Sequence, residues 1–154
     1  MKFICILIAT IIFSCGERKK NTAYDISFET KESILLKKAQ LLYEKDKYQT
    51  AILYFDSLIS IDSMQGKYFY ERAYSYTQLS NRKMAIEDFK KSIEYKFKIS
   101  DSYYNIGVNY FLTNDSLAIY YFQKCLSVDS SYTDAYNQIL FLKKKRAQAK
   151  NHSQ

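Results

Sequence analysis

The chain has no proline and only three glycines among its 154 residues. Proline deletes a helix hydrogen bond, and an interior glycine costs about 1 kcal/mol relative to alanine. With so few breakers and many helix formers, the composition favours an all-helical protein. Histidine is nearly absent too. The single one, His152, lies in a polar tail, so no Cys/His cluster can form to hold a metal. There is no glycine-rich phosphate loop and no nucleophile motif. Glu87 and Asp88 are adjacent on a helical stretch and point different ways, which makes them a poor acid–base pair. Nothing in the sequence asks for catalysis, a metal or a cofactor.

Tryptophan is missing as well, yet there are 16 tyrosines and 10 phenylalanines. Tyrosine can fill a core or present a surface that is half apolar and half polar. Apolar residues make up 47% of the chain, ample for one domain. The net charge of +7 is spread out, and falls to +6 if Lys2 leaves with a leader. Lysines and glutamates alternate through the helical stretches, and an exported chain does not meet the genome, so nucleic acid is not the expected partner. The runs Arg18-Lys19-Lys20 and Lys143-Lys144-Lys145-Arg146 sit near opposite ends and read as solvated segments.

The N-terminus reads as an export signal. Met1-Lys2 precedes FICILIATIIF, an uncharged stretch too short for the about 20 residues that span a bilayer. Ile12-Phe13-Ser14-Cys15 resembles a bacterial lipobox, although Phe13 is bulkier than the usual residue there. That resemblance implies cleavage after residue 14 and lipidation of Cys15. Residues 15–30 then form a polar tether, with Arg18, Lys19 and Lys20 close to the headgroups. Cys5 leaves with the leader and Cys15 is acylated, so Cys125 is left without an intramolecular partner; its slot reads as small and buried. The chain is expected on a bacterial envelope membrane, facing the periplasm.

From Lys31 onward the apolar period is helical. Leu35, Ala39 and Leu42 mark one face, then Tyr48, Ala51, Ile52, Phe55, Leu58 and Ile59 the next. Phe69, Ala73 and Tyr76 lead to a turn at Leu79-Ser80-Asn81, followed by Ala85, Ile86, Phe89 and Ile93. Tyr103, Ile106, Gly107 and Tyr110 lead to Ala118, Ile119, Phe122, Cys125 and Leu126. Ser100 or Asp101, and Asn114, are candidate N-caps.

Ala39, Ala73 and Gly107 are 34 residues apart each time. Ala51 to Ala85 is also 34, but Ala85 to Ala118 is 33, one residue being lost around Thr113-Asn114. The period and the small residues resemble the tetratricopeptide repeat. No copy has that family's Trp or closing Pro, and Lys38 and Arg72 stand where it usually has Leu. The resemblance implies an all-α solenoid over residues 31–149. Its three hairpins span about 32–65, 66–99 and 100–132, and a capping helix over 132–149 has Tyr136, Ile139 and Leu140 inward. Residues 150–154 form a disordered tail.

Solenoids of that family are concave along their first helices. That geometry implies a groove with Leu36, Gln40 and Tyr43 from the first copy and Lys67, Tyr70, Tyr74 and Thr77 from the second. Tyr104, Val108 and Phe111 come from the third, and Asn137 and Phe141 from the cap. An aromatic groove suits a peptide or helix of a partner protein. Some relatives grip a C-terminal carboxylate there. The matching slots hold Leu36, Gln40, Glu71, Asp101 and Asn105, and only Asn105 fits. The expected function is a non-enzymatic protein-interaction scaffold of the envelope. Self-association into a homo-oligomeric envelope module, and basic docking on anionic lipid or polymer, are the alternatives.

Overall fold

A computed structural model describes residues 30–151. The leader, Cys15, the tether up to residue 29 and His152 lie outside the described residues. Seven helices run through the described part: α1 (Lys31–Glu44), α2 (Tyr48–Ile61), α3 (Gly66–Gln78), α4 (Arg82–Glu94), α5 (Ile99–Tyr110), α6 (Asp115–Val128) and α7 (Thr133–Asn151). Each packs chiefly on its neighbours in sequence. The result is an all-α solenoid of three hairpins closed by α7. None of these helices is long and apolar enough to cross a membrane.

Small residues set the closeness of the helices. Ala39, Ala51, Ala73, Ala85 and Ala118 are fully buried, as an approach to about 8–10 Å requires. Gly107 goes further. A Cβ there would lie 2.6 Å from Cε1 of Phe122, so the ring rests where any larger residue would put its side chain. Phe55, Phe89 and Phe122 fill the three cores, one per hairpin. Gly66 is similar: its added Cβ would sit 2.8 Å from Cβ of Phe97, whose loop folds over the start of α3.

The turns explain the short third copy. At the ends of α1, α3 and α4, the left-handed residues Asp46, Ser80 and Lys96 close six-residue caps. In each, one amide reaches back five residues and its predecessor three, as in Lys47 N to Leu42 O and Asp46 N to Tyr43 O. The turn from α5 to α6 has no left-handed residue. Both Thr113 N and Asn114 N bond to Tyr110 O, so the chain turns with one residue fewer.

Three details differ from the expectations. Neither Ser100 nor Asp101 caps α5, because the helix starts at Ile99 behind the left-handed Lys98. Asp101 instead accepts a hydrogen bond from Tyr132 at 3.0 Å. Asn114 does cap α6, accepting from Ser116 N at 3.1 Å and Leu117 N at 3.0 Å. On α7, Tyr136 and Leu140 are half exposed while Ala135, Ile139 and Leu142 are buried. Two stripes through Ile139 were available, and packing selects the one headed by alanine, which permits closer approach. α7 also continues to Asn151, two residues beyond the expected end.

Candidate functional site: an aromatic groove along the odd-numbered helices

Side-chain bonds tie α1, α3, α5 and α7 side by side. Tyr68 on α3 donates to Glu32 on α1. Asn105 on α5 donates to Tyr74 Oη at 3.0 Å, and Asn109 donates to Thr77 Oγ1 at 3.1 Å. Tyr132, just before α7, reaches back to Asp101. Tyr104 stacks on Tyr132 with ring centroids 5.1 Å apart. Burial, then the bond to Asp101, pushes the Tyr132 phenol above its ordinary value.

The sequence-derived groove residues fall into two hollows. One, of about 270 Å³, is lined by Tyr43, Tyr70, Glu71, Tyr74 and Lys98. The other, of about 320 Å³, is lined by Tyr104, Val108, Phe111, Leu112 and Gln138. Gln40, Lys67, Asn137 and Phe141 line neither, although Phe141 stacks on Phe111 at 5.8 Å. Leu36 packs on the first core, and the Thr77 hydroxyl is spent on Asn109 and Ala73 O. Gln138 lines the second hollow where Asn137 was expected.

Tyr70 is more core than wall. It is 5% exposed, with edge-on contacts to Tyr74, Phe89 and Phe97 at 5.1–5.7 Å. Burial drives its phenol upward. Its Oη lies 3.2 Å from Tyr74 Oη, which also takes the Asn105 amide. The Tyr70 and Tyr74 hydroxyls share one hydrogen bond, and the tyrosine rings supply the apolar lining of the first hollow.

Sequence reasoning missed Glu71 and Lys98 as partners in that hollow. Burial raises the Glu71 carboxyl, while Lys67 and Lys98 pull it down through space. The Lys98 ammonium lies 4.9 Å from the centroid of the Tyr70 ring. The signal for Glu71 was present: it follows Tyr70 and sits three residues before Tyr74 on one helix. No signal marked Lys98, which reaches the groove only because the loop before α5 turns left-handed.

Arg72, at a slot the repeat pattern fills with leucine, faces away from the groove. It makes a two-pronged bond to Asp88, at 2.7 and 2.8 Å, and a third bond to Asp56 at 2.5 Å. Burial raises the Asp88 carboxyl, with Arg72 opposing. A hollow of about 490 Å³ flanks this pair, and another of about 360 Å³ is lined by Arg82, Lys83, Ile86 and Lys90 among others. Both are larger than the groove hollows. The first is built around an ion pair already satisfied, and the second mixes Arg82, Lys83, Glu87 and Lys90 with Ile86, Asn109, Tyr110 and Thr113; neither includes a residue of the expected groove, so the groove stays the candidate site. Among the described residues, no three His, Cys, Asp or Glu converge as a metal site.

The seven described helices form an all-α solenoid of stacked hairpins. The fold is that of tetratricopeptide repeats: residues 66–99 match the Tetratricopeptide repeat family. The first TPR of Spaghetti (RPAP3), solved bound to an HSP90 peptide, is similar at 19% identity and a TM-score of 0.69, covering 77% of this chain and 95% of that one. The Sgt2 TPR domain from Aspergillus fumigatus is similar at 17% identity and 0.69, covering 80% and 83%. YrrB, a TPR protein with an unusual peptide-binding site, is similar at 20% identity and 0.63, covering 76% and 61%. No curated protein matches the chain. Tetratricopeptide-repeat domains generally mediate protein–protein interaction, and some bind peptides.

Proposed function

We propose that the chain is a non-enzymatic interaction scaffold that holds a peptide or helix of a partner protein against α3, α5 and α7. The carrying observation is the half-exposed apolar wall of Val108, Phe111, Leu112 and Phe141 beside Tyr104. Leu112 is 76% and Phe141 56% exposed, and both adjoin Phe111, which lines the hollow with Val108 and stacks on Phe141, so the apolar surface is clustered rather than scattered. Rigid aromatics lose little side-chain freedom on contact, which suits capture. A carboxylate-gripping role has no support here. The Asn105 amide is engaged by Tyr74 and Asp101 O, and Glu71 would repel an anion.

The test places a photo-crosslinking residue at Val108, and separately at Leu53, which is 59% exposed on α2. Discrete partner adducts in intact cells from position 108, lost with Phe111→Ala, support the groove. Equal adducts from both positions refute it. Tyr70→Ala is unsuitable for this purpose, since Tyr70 is part of the core.

The same reading places the scaffold on a bacterial envelope membrane through lipidated Cys15. Its support is the leader pattern ending Ile12-Phe13-Ser14-Cys15. Cys15→Ser should leave the chain unprocessed and without lipid label; normal processing and labelling of that variant would remove the anchor from the proposal.

A further inference from the structure

We infer that the hollow bounded by Tyr43, Tyr70, Tyr74 and Glu71 is a subsite for a cationic side chain, arginine or lysine, of the bound segment. The inference rests on the groove reading and adds the chemistry of what the groove selects.

Three aromatic rings and one carboxylate line the hollow, and each attracts positive charge; the fifth lining residue is the cation Lys98. The face of an aromatic ring is electronegative, and a cation within about 6 Å of its centroid is held by it. The Asn105 amide spends its hydrogens on Tyr74 and Asp101 O, so it has none left for an anion. To a cationic ligand the hollow offers ring face and carboxylate oxygen. Among the described residues Glu71 makes no hydrogen bond of its own, so its acceptor capacity is open.

Lys98 supplies the second observation. It is an exposed residue in a left-handed loop position, and its ammonium already rests 4.9 Å from the Tyr70 ring. The hollow therefore accommodates a cation in the structure itself. Lys98 holds the place on a flexible stem with its head in solvent, and an incoming guanidinium competes for it. Guanidinium is planar and more weakly hydrated than ammonium, so arginine is the better guest. A segment with an arginine here and an apolar side chain toward Phe111 and Leu112 would use both hollows.

The experiment follows the ring resonances of Tyr43 and Tyr74 by NMR in the full-length chain. The probes are N-acetyl-arginine methylamide and, separately, N-acetyl-glutamate methylamide. Saturable shifts with the arginine probe and none with the glutamate probe are expected. Glu71→Gln should weaken the arginine probe by about tenfold, the loss of one charge-assisted contact. Lys98→Ala should leave binding unchanged or strengthen it, because it removes the resident competitor. No saturable shift with arginine, or glutamate binding that Lys98→Ala abolishes, overturns the cationic subsite. If either occurs while the crosslinks from position 108 still depend on Phe111, the groove stands and only this subsite falls.

Discussion

Gly107 and Arg72 show how far single residues carry the fold. Phe122 is fully buried against the bare Cα of Gly107, and its ring has nowhere to retreat. Gly107→Ala should therefore destabilise the domain by about 1–3 kcal/mol, despite the better helix propensity of alanine. Urea unfolding followed by circular dichroism would measure it, and a more stable variant would contradict the packing described. Arg72→Leu restores the usual residue of the repeat pattern but strands the carboxylate of Asp88, which is 4% exposed. A loss of about 3 kcal/mol is expected, with Arg72→Leu/Asp88→Leu recovering most of it. The departure at Arg72 was visible in the sequence. Its meaning was not, because Asp56 and Asp88 each lie 16 residues away on other helices. No period links them. The small-residue slots, by contrast, repeat at a fixed interval, and every one is buried as the interval implies.

At the level of helices and turns, the caps are the most local signals and divide instructively. Asn114 precedes a helical run and bonds its first amides, so it was legible. Ser100 and Asp101 are equally good cap residues by type, but the chain enters α5 through Lys98 with φ 42°, and the helix has already begun. A competing demand decided it: Asp101 is needed by Tyr132, 31 residues on. Asn114→Ala should cost about 1 kcal/mol. Ser80→Gly should stabilise by about 0.5–1 kcal/mol, because Ser80 holds φ 57°, which glycine adopts without strain. Thermal midpoints of the two variants should move in opposite directions. For α7 the sequence offered two apolar stripes sharing Ile139. Hydrophobicity alone could not choose between them, and packing buried Ala135 and Leu142 in place of Tyr136 and Leu140.

Across the whole molecule, tyrosine does structural work at the joints between repeats. Tyr68 and Tyr132 each span two odd-numbered helices, and burial, with bonds to Glu32 and Asp101, raises both phenols. Tyr68 is pushed up to about 12. The folded chain keeps these protons where the unfolded chain, with phenols near 10, has lost them. Their contribution is therefore complete below about pH 10 and disappears as pH climbs through about 12. Unfolding midpoints measured from pH 8 to 11.5 should fall once pH passes about 10, and tyrosinate absorbance should lag behind that of a denatured control. A midpoint that holds steady to pH 11.5 would show that these phenols do not secure the joints.

The chain of links Glu32–Tyr68, Tyr74–Asn105, Thr77–Asn109 and Asp101–Tyr132 joins the odd-numbered helices from the first to the last. It works as cross-bracing on an arch: the span cannot open or tighten without breaking rungs. A guest would thus find a mould already set, and little of the binding energy would go into shaping the host.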